Sequence, residues 1–430
     1  MLKIWSISLG CPKNRVDTEH LLGALPVPFR PVSQMGRADV VFINTCGFIR
    51  PAVEESIKTI LDAADRIGRV KKRPLLAVAG CMVGRYGAEE LAKEIPEVDL
   101  WLSNQSLEPW GETLARRLGL GASVTGRVLS TPPSYAWLKI SEGCRHACAF
   151  CTIPSIRGPH RSVPADELVR EARSLLDRGV REIVLVAQDI AAWGTDIGEK
   201  HGLRTLIEQL MPLQGLSWLR MLYLYPSGIT EDFMRFAASA GRPLLPYFDI
   251  PMQHAAPDVL RRMGRPFARH DPRAVVDTVR RFLPDAALRT SIIAGFPGET
   301  EEDFSQLLDF VRDTRFTHLG VFAYEPEDGT PAAVMPDQIP DAKKERRRDE
   351  IMEMQAEISA EMLESYVGQR MEVLVDAPHG EWPGLHTGRV WMQAPEIDGI
   401  TYISGPGTVP GAMLEADIVE SADYDLTALA

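Results

Sequence analysis

The chain has 430 residues, a net charge of −12, and a composition of 45% apolar and 25% charged residues. That length suits about three domains and excludes a peptide, a single small module and a disordered tail. No apolar run approaches the ~18 residues that cross a bilayer, so no membrane partner is expected, and the acidity disfavours unassisted binding to phosphate. The start, Met1-Leu2-Lys3-Ile4-Trp5-Ser6-Ile7, reads as a first strand and not a signal peptide, which points to a cytoplasmic location.

From Met1 to about residue 128, strand-like runs (Lys3 to Leu9, Asp39 to Asn44, Leu75 to Ala79, Asp99 to Leu102) alternate with helical patterns such as Asp17 to Leu25 and Val53 to Ile67. The alternation predicts an α/β domain with an open parallel sheet. Thr131-Pro132-Pro133 breaks the pattern as a linker. Over 132–365 it restarts with six strands: Trp137 to Ser141, Glu182 to Ala187, Leu219 to Tyr225, Leu244 to Ile250, Leu288 to Ala294 and His318 to Tyr324. Six βα units predict a partial (β/α)6, TIM-like barrel with its chemistry at the strand C-terminal ends, closed by an amphipathic helix from Ala342 to about Ser365. Residues 366–430 hold short β runs (Arg370 to Val375, Gly388 to Trp391, Thr401 to Ser404, Met413 to Val419) broken by Gly and Pro, which predict a small antiparallel β-barrel.

Six cysteines are too few for a disulfide scaffold, so their spacing decides their role. Cys144, Cys148 and Cys151 form a C-x3-C-x2-C group after the first strand of the second block. Three thiolates so close can hold three irons of a cubane and leave the fourth iron open to a ligand. Zinc needs four ligands, and although His146 or His160 could complete a set, the separated paired knuckles of most zinc modules are missing. Cys11, Cys46 and Cys81 each follow a strand, with a glycine beside each one (Gly10, Gly47, Gly80). Strand C-terminal ends of an open parallel sheet share one edge, so these distant residues are placed to converge on a second three-thiolate cluster.

These features resemble the radical S-adenosylmethionine methylthiotransferases, over the whole chain. The resemblance implies a methylthiotransferase domain at 1–128, a radical S-adenosylmethionine domain at 132–365 and an OB-like TRAM barrel at 366–430. Leu9-Gly10-Cys11-Pro12-Lys13-Asn14 and Ile153-Pro154-Ser155-Ile156-Arg157-Gly158 look like the branch that modifies an aspartate β-carbon of small-subunit ribosomal protein S12. The tRNA-modifying branch carries Gln-Met-Asn after its first cysteine. The same resemblance implies two [4Fe-4S] clusters, S-adenosylmethionine as methyl donor and radical source, and a one-electron donor such as flavodoxin or ferredoxin. Phe150 resembles the family's aromatic near the adenine, with cluster packing as the alternative. Gln188 and Gly295, at barrel strand ends, are candidates to line the cofactor pocket or are plain βα turn residues. Arg157 and Arg161 face either substrate or solvent.

The terminal segment offers a separate physical argument about the substrate. Residues 366–430 contain ten acids against two bases, Arg370 and Arg389, a balance of −8. Such a domain disfavours RNA and suits a basic ribosomal protein, so no direct tRNA substrate is expected. Methylthiolation of a tRNA adenosine is the alternative within the same class, and a non-catalytic iron-sulfur carrier or redox sensor the alternative outside it.

Overall fold

The computed structural model describes residues 1–106, 108–265 and 271–430. The first sheet contains β1 (Leu2–Ser8), β2 (Phe29–Pro31), β3 (Val40–Thr45), β4 (Leu75–Gly80) and β5 (Leu100–Ser103) in the order β2-β1-β3-β4-β5. Every pairing in it is parallel. β3 is buried at all six positions, Val-Val-Phe-Ile-Asn-Thr, because helices cover both faces. Val41 and Ile43 join one apolar cluster while Val40 and Phe42 join another on the opposite face. The chain order reverses between β1 and β3, and at such a switch point the loops leaving the two strands part and leave a crevice. The helix expected from Asp17 begins a turn earlier, at Pro12–Gly23, with Pro at its first position. The three-residue β2 was not expected, since so short a run carries no readable alternation.

The central domain adds β6 (Tyr135–Lys139), β7 (Ser141–Glu142), β8 (Arg161–Ser162), β9 (Glu182–Val186), β10 (Trp218–Met221), β11 (Leu244–Asp249), β12 (Ala287–Ala294) and β13 (His318–Ala323). Six of these form an open sheet in the order β13-β12-β11-β10-β9-β6, with every described pairing parallel, as the alternation predicts. β7 and β8 pair separately as a two-residue ribbon flanking the cysteine loop. Alternate residues divide the two faces of the sheet. Ala136, Leu138, Ile183 and Leu185 pack with the surrounding helices. Trp137, Val184, Trp218 and Tyr247 pack with the terminal barrel. The helix Asp341–Glu364 then lies along β12 and β13.

The terminal barrel closes in the order β14-β15-β16-β18-β17, from β14 (Arg370–Pro378), β15 (Leu385–Val390), β16 (Thr401–Ser404), β17 (Met413–Ser421) and β18 (Leu426–Leu429). It departs from the antiparallel expectation at one pair. β18, which the sequence did not reveal, runs parallel to β16 and closes the barrel. The short Leu-Thr-Ala-Leu run lies behind an acidic turn and is too brief to show as a strand.

Candidate functional site: two cysteine trios at a domain junction

Cys11 leaves β1 as the residue that opens the helix Pro12–Gly23, Cys46 follows β3, and Cys81 opens the helix Cys81–Tyr86 directly after β4. Cys11 and Cys46 therefore flank the switch point. Two glycines let these loops close on one another. A Cβ on Gly10, at φ +85°, would stand 2.8 Å from the Cys46 Cβ and 2.9 Å from its Sγ. One on Gly47 would stand 2.6 Å from the Met82 nitrogen and 2.8 Å from the Cys81 carbonyl carbon. Asn14 joins the two strand ends, donating from Nδ2 to the carbonyls of Leu9 at 2.8 Å and Thr45 at 2.9 Å.

Arg157 links this trio to the other domain. It sits on the short helix Ile153–Arg157, just past Cys151, and is 1% exposed. Its Nε donates to Cys81 Sγ at 3.3 Å, its Nη1 to Glu142 Oε1 at 2.8 Å, and its Nη2 to Asn14 Oδ1. The solvent alternative for Arg157 is thus corrected, because two domains enclose it, whereas Arg161 is exposed. Around it the contact continues. Gln105 donates from Nε2 to the Ile156 carbonyl at 3.2 Å, and Thr152 donates to the carbonyl of Phe48, two residues past Cys46, at 3.2 Å.

In the second trio, backbone N–H groups of His146 and Ile153 point at Cys144 and Cys151 Sγ, each at 3.5 Å, and Arg265 Nη1 points at Cys148 Sγ at 3.5 Å. Hydrogen bonds to sulfur are one lever by which a protein tunes an iron-sulfur cluster. Gly264 supports this loop closely: a Cβ there would stand 2.9 Å from the Ala147 carbonyl oxygen. His146 stacks on Tyr225 with ring centroids 3.7 Å apart, and its Nε2 meets Asp189 Oδ2 at 2.7 Å, which occupies it as an orienting contact.

All six cysteines carry free thiols. Burial pushes Cys81 and Cys151 up to about 12 and raises Cys46 and Cys144 less. For Cys11 burial also raises the pKa, but Lys13, Arg157 and the backbone N–H groups of Asn14 and Lys13 outweigh it and lower it. Buried thiols of this kind become thiolates when a metal supplies the positive charge. Among the described residues, no group of three or more His, Cys, Asp or Glu side chains is close enough to hold a single metal ion. The ligands of a cubane bind different irons and need a wider spread than those of one ion. Soft thiol donors, N–H groups aimed at sulfur and loops pressed together at glycines all fit an iron-sulfur cluster at each trio.

The other site candidates divide. Gln188 donates to Glu142 Oε1 at 3.1 Å, while its Oε1 is buried with no hydrogen-bond partner among the described residues, an acceptor left for a ligand. Phe150 packs edge-on to Phe296 with centroids 6.4 Å apart, in an apolar cluster. Gly295, at φ +77°, has no open space beside it: a Cβ would strike Lys344 Cγ at 2.4 Å. Its missing side chain admits the helix Asp341–Glu364. Sequence reasoning missed Asn14, Glu142, Tyr223 and Arg265, whose partners come from distant segments. Asn14, inside the Cys11-Pro12-Lys13-Asn14 run, and Glu142, inside the family-like run Ser141-Glu142-Gly143-Cys144, carried a signal; Tyr223 and Arg265 carried none.

This site lies on the scaffold of a radical S-adenosylmethionine enzyme with a TRAM domain. Residues 138–311 match the Radical SAM superfamily, residues 3–103 Uncharacterized protein family UPF0004, and residues 367–430 the TRAM domain. A solved radical S-adenosylmethionine methyltransferase, TsrM from Kitasatospora setae, shares the fold at TM-score 0.54 and 12% identity, over 90% of this chain and 80% of that one. Two relatives, each named ribosomal protein uS12 methylthiotransferase RimO, align over the full length of both chains. One, from Nitratidesulfovibrio vulgaris, is 66% identical, and one from Oleidesulfovibrio alaskensis is 61% identical. The chain belongs to the RimO methylthiotransferase family, whose radical chemistry uses a [4Fe-4S] cluster and S-adenosylmethionine.

Proposed function

We propose that this chain attaches a methylthio group to the β-carbon of an aspartate in ribosomal protein uS12, using two [4Fe-4S] clusters. Cys144, Cys148 and Cys151 hold the first, beside S-adenosylmethionine, and Cys11, Cys46 and Cys81 hold the second. Domains at 1–128, 132–365 and 366–430 divide the work. The observation that carries this reading is Arg157, whose guanidinium spans from the segment behind Cys151 to the sulfur of Cys81, so that both trios border one junction. When bound, the clusters and S-adenosylmethionine supply one-electron bond cleavage and sulfur, which side chains alone do not provide. The chain's own residues set the stage. Arg157 and Asn14 fix the loops of Cys81, Cys11 and Cys46; Arg265 and two backbone N–H groups orient the thiols of the other trio; Gln188 offers an acceptor to the cofactor.

A protein substrate is favoured over RNA by charge. Of the terminal barrel's acids, Glu372, Asp376, Glu396 and Asp398 are engaged by cations of this chain. Asp417 lies 4.0 Å from Arg370, while Glu381, Glu415, Glu420 and Asp423 are exposed, and they suit a basic ribosomal protein better than phosphate. A small electron carrier such as flavodoxin or ferredoxin supplies the electron, and the reaction takes place in the cytoplasm, where its substrate is made. No helix among the described residues is long and apolar enough to cross a membrane.

The test is the intact mass of uS12, together with the tRNA nucleosides, from cells lacking the gene. Loss of the methylthio group from uS12 alone is expected, and loss only from tRNA overturns the assignment. In purified protein, Cys148→Ala abolishes release of 5′-deoxyadenosine, whereas Cys46→Ala permits release and blocks sulfur insertion. Normal methylthiolation by Cys46→Ala would refute a role for the second trio.

A further inference from the structure

Lys13 stands two residues past Cys11 and is 8% exposed, yet no carboxylate lies within salt-bridge distance of it among the described residues. The other cations buried at the domain junctions are paired: Arg127 with Glu19, Lys139 with Asp17, Arg157 with Glu142, and Arg389 with Glu182. Lys13 Nζ instead lies 3.4 Å from the Ala187 carbonyl oxygen and 3.6 Å from the centroid of the Tyr223 ring. Glu142, the nearby acid, is already engaged by Lys139 and Arg157. An ammonium group has three donors. A carbonyl and a ring face leave donor capacity unused, and although the charge of Lys13 also acts on the Cys11 thiol, no anionic side chain among the described residues is hydrogen-bonded to its ammonium group, so a ligand carboxylate can take the free donor.

Its position shows what that ligand meets. Ala187 directly follows β9, and Tyr223 lies just past β10, so Lys13 reaches from the first domain into the mouth of the central one, at the strand ends where such folds bind ligands. Tyr223 holds a left-handed backbone at φ +63°, fixed by its N–H to Asp249 Oδ2 at 2.9 Å. A bulky aromatic in that region is strained, and strain of this kind gathers at ligand clamps. Here it turns the ring under the ammonium group.

We propose that Lys13, seated on Tyr223, binds the side-chain carboxylate of the substrate aspartate and so presents its β-carbon between the two cysteine trios. This inference rests on the function proposed above. Methylthiolation at the β-carbon leaves the carboxylate intact, so that group can serve as a handle from binding to product. S-Adenosylmethionine also carries a carboxylate, and the experiment separates the two sources.

The measurement is the affinity of the anaerobically reconstituted full chain for uS12 and for uS12 with Asn in place of the modified aspartate, repeated with Lys13→Met and Lys13→Arg. The wild-type chain prefers aspartate over asparagine by about tenfold or more. Lys13→Met erases that preference, and Lys13→Arg, keeping the charge, retains part of it. Equal weakening of both substrates by Lys13→Met marks a merely structural role and overturns the proposal. So does lost affinity for S-adenosylmethionine with the aspartate preference intact. The wild-type comparison needs no enzyme variant to fold, and absence of any preference there also overturns it. Failure of the wild-type chain to bind either form of uS12 overturns the function reading and this proposal with it.

Discussion

Gly10 and Arg157 bear most directly on the first cysteine trio. Gly10→Ala puts a methyl group within 3 Å of Cys46 at a backbone angle that L-residues rarely adopt. The expected cost is about 1–3 kcal/mol of stability, with less iron bound at that trio, read by denaturant unfolding and metal content. Arg157→Met leaves Glu142 and Asp17 with Lys139 as their remaining salt-bridge partner and removes the N–H aimed at Cys81. A loss of about 3–5 kcal/mol is expected, because removing one cation from a buried ion cluster leaves two carboxylates to share Lys139. The six cysteines could be singled out from the sequence because thiol spacing is itself chemistry. Arg157 could be named only as facing substrate or solvent, since its partners lie 76 residues away at Cys81 and 143 at Asn14, and nothing local distinguishes a buried arginine from a solvated one.

The elements repeat that division. β3, β4 and β9 were legible as apolar runs because strands buried on both faces have no polar alternation to lose. β2 and β18 were not, since three or four residues carry no period and their pairing is fixed by neighbours. Helix starts were read late where a cysteine or proline stood at the entry, as at Pro12. The helix Glu301–Thr314 shows what a local signal is worth. Thr300 accepts from the Asp303 N–H at 3.1 Å, and the Asp303 side chain accepts from the Thr300 N–H at 3.0 Å. Thr300→Ala is expected to cost about 1 kcal/mol in unfolding free energy. Because these capping bonds touch neither trio, iron content should be unchanged.

The whole molecule is held together by charges buried where its domains meet, and the acidity of the terminal barrel takes part of its meaning from that. Glu182 is fully buried between Arg220 and Arg389, and Arg389 also meets Asp376, so that barrel and central sheet share one ion cluster. At the first linker, burial raises the Glu171 pKa, but hydrogen bonds from His20 and Arg127 outweigh it and hold the carboxyl at about 2. A carboxyl depressed on folding contributes stability that is complete above its ordinary pKa and is lost as pH falls toward the folded value. Between about pH 6 and pH 3 the wild-type chain should therefore lose on the order of 2 kcal/mol that Glu171→Gln does not lose, measured by denaturant unfolding at each pH. Composition could give the sign of the terminal barrel's charge, but not that Glu372, Asp376, Glu396 and Asp398 pair with residues of other domains. The account as a whole is tested most directly by iron and sulfide per chain after anaerobic reconstitution, in the wild type, Cys46→Ala and Cys148→Ala. It predicts about eight irons and eight sulfides in the wild type and about four of each in either variant. A wild-type chain that binds only about four irons, or zinc at one trio, would contradict it.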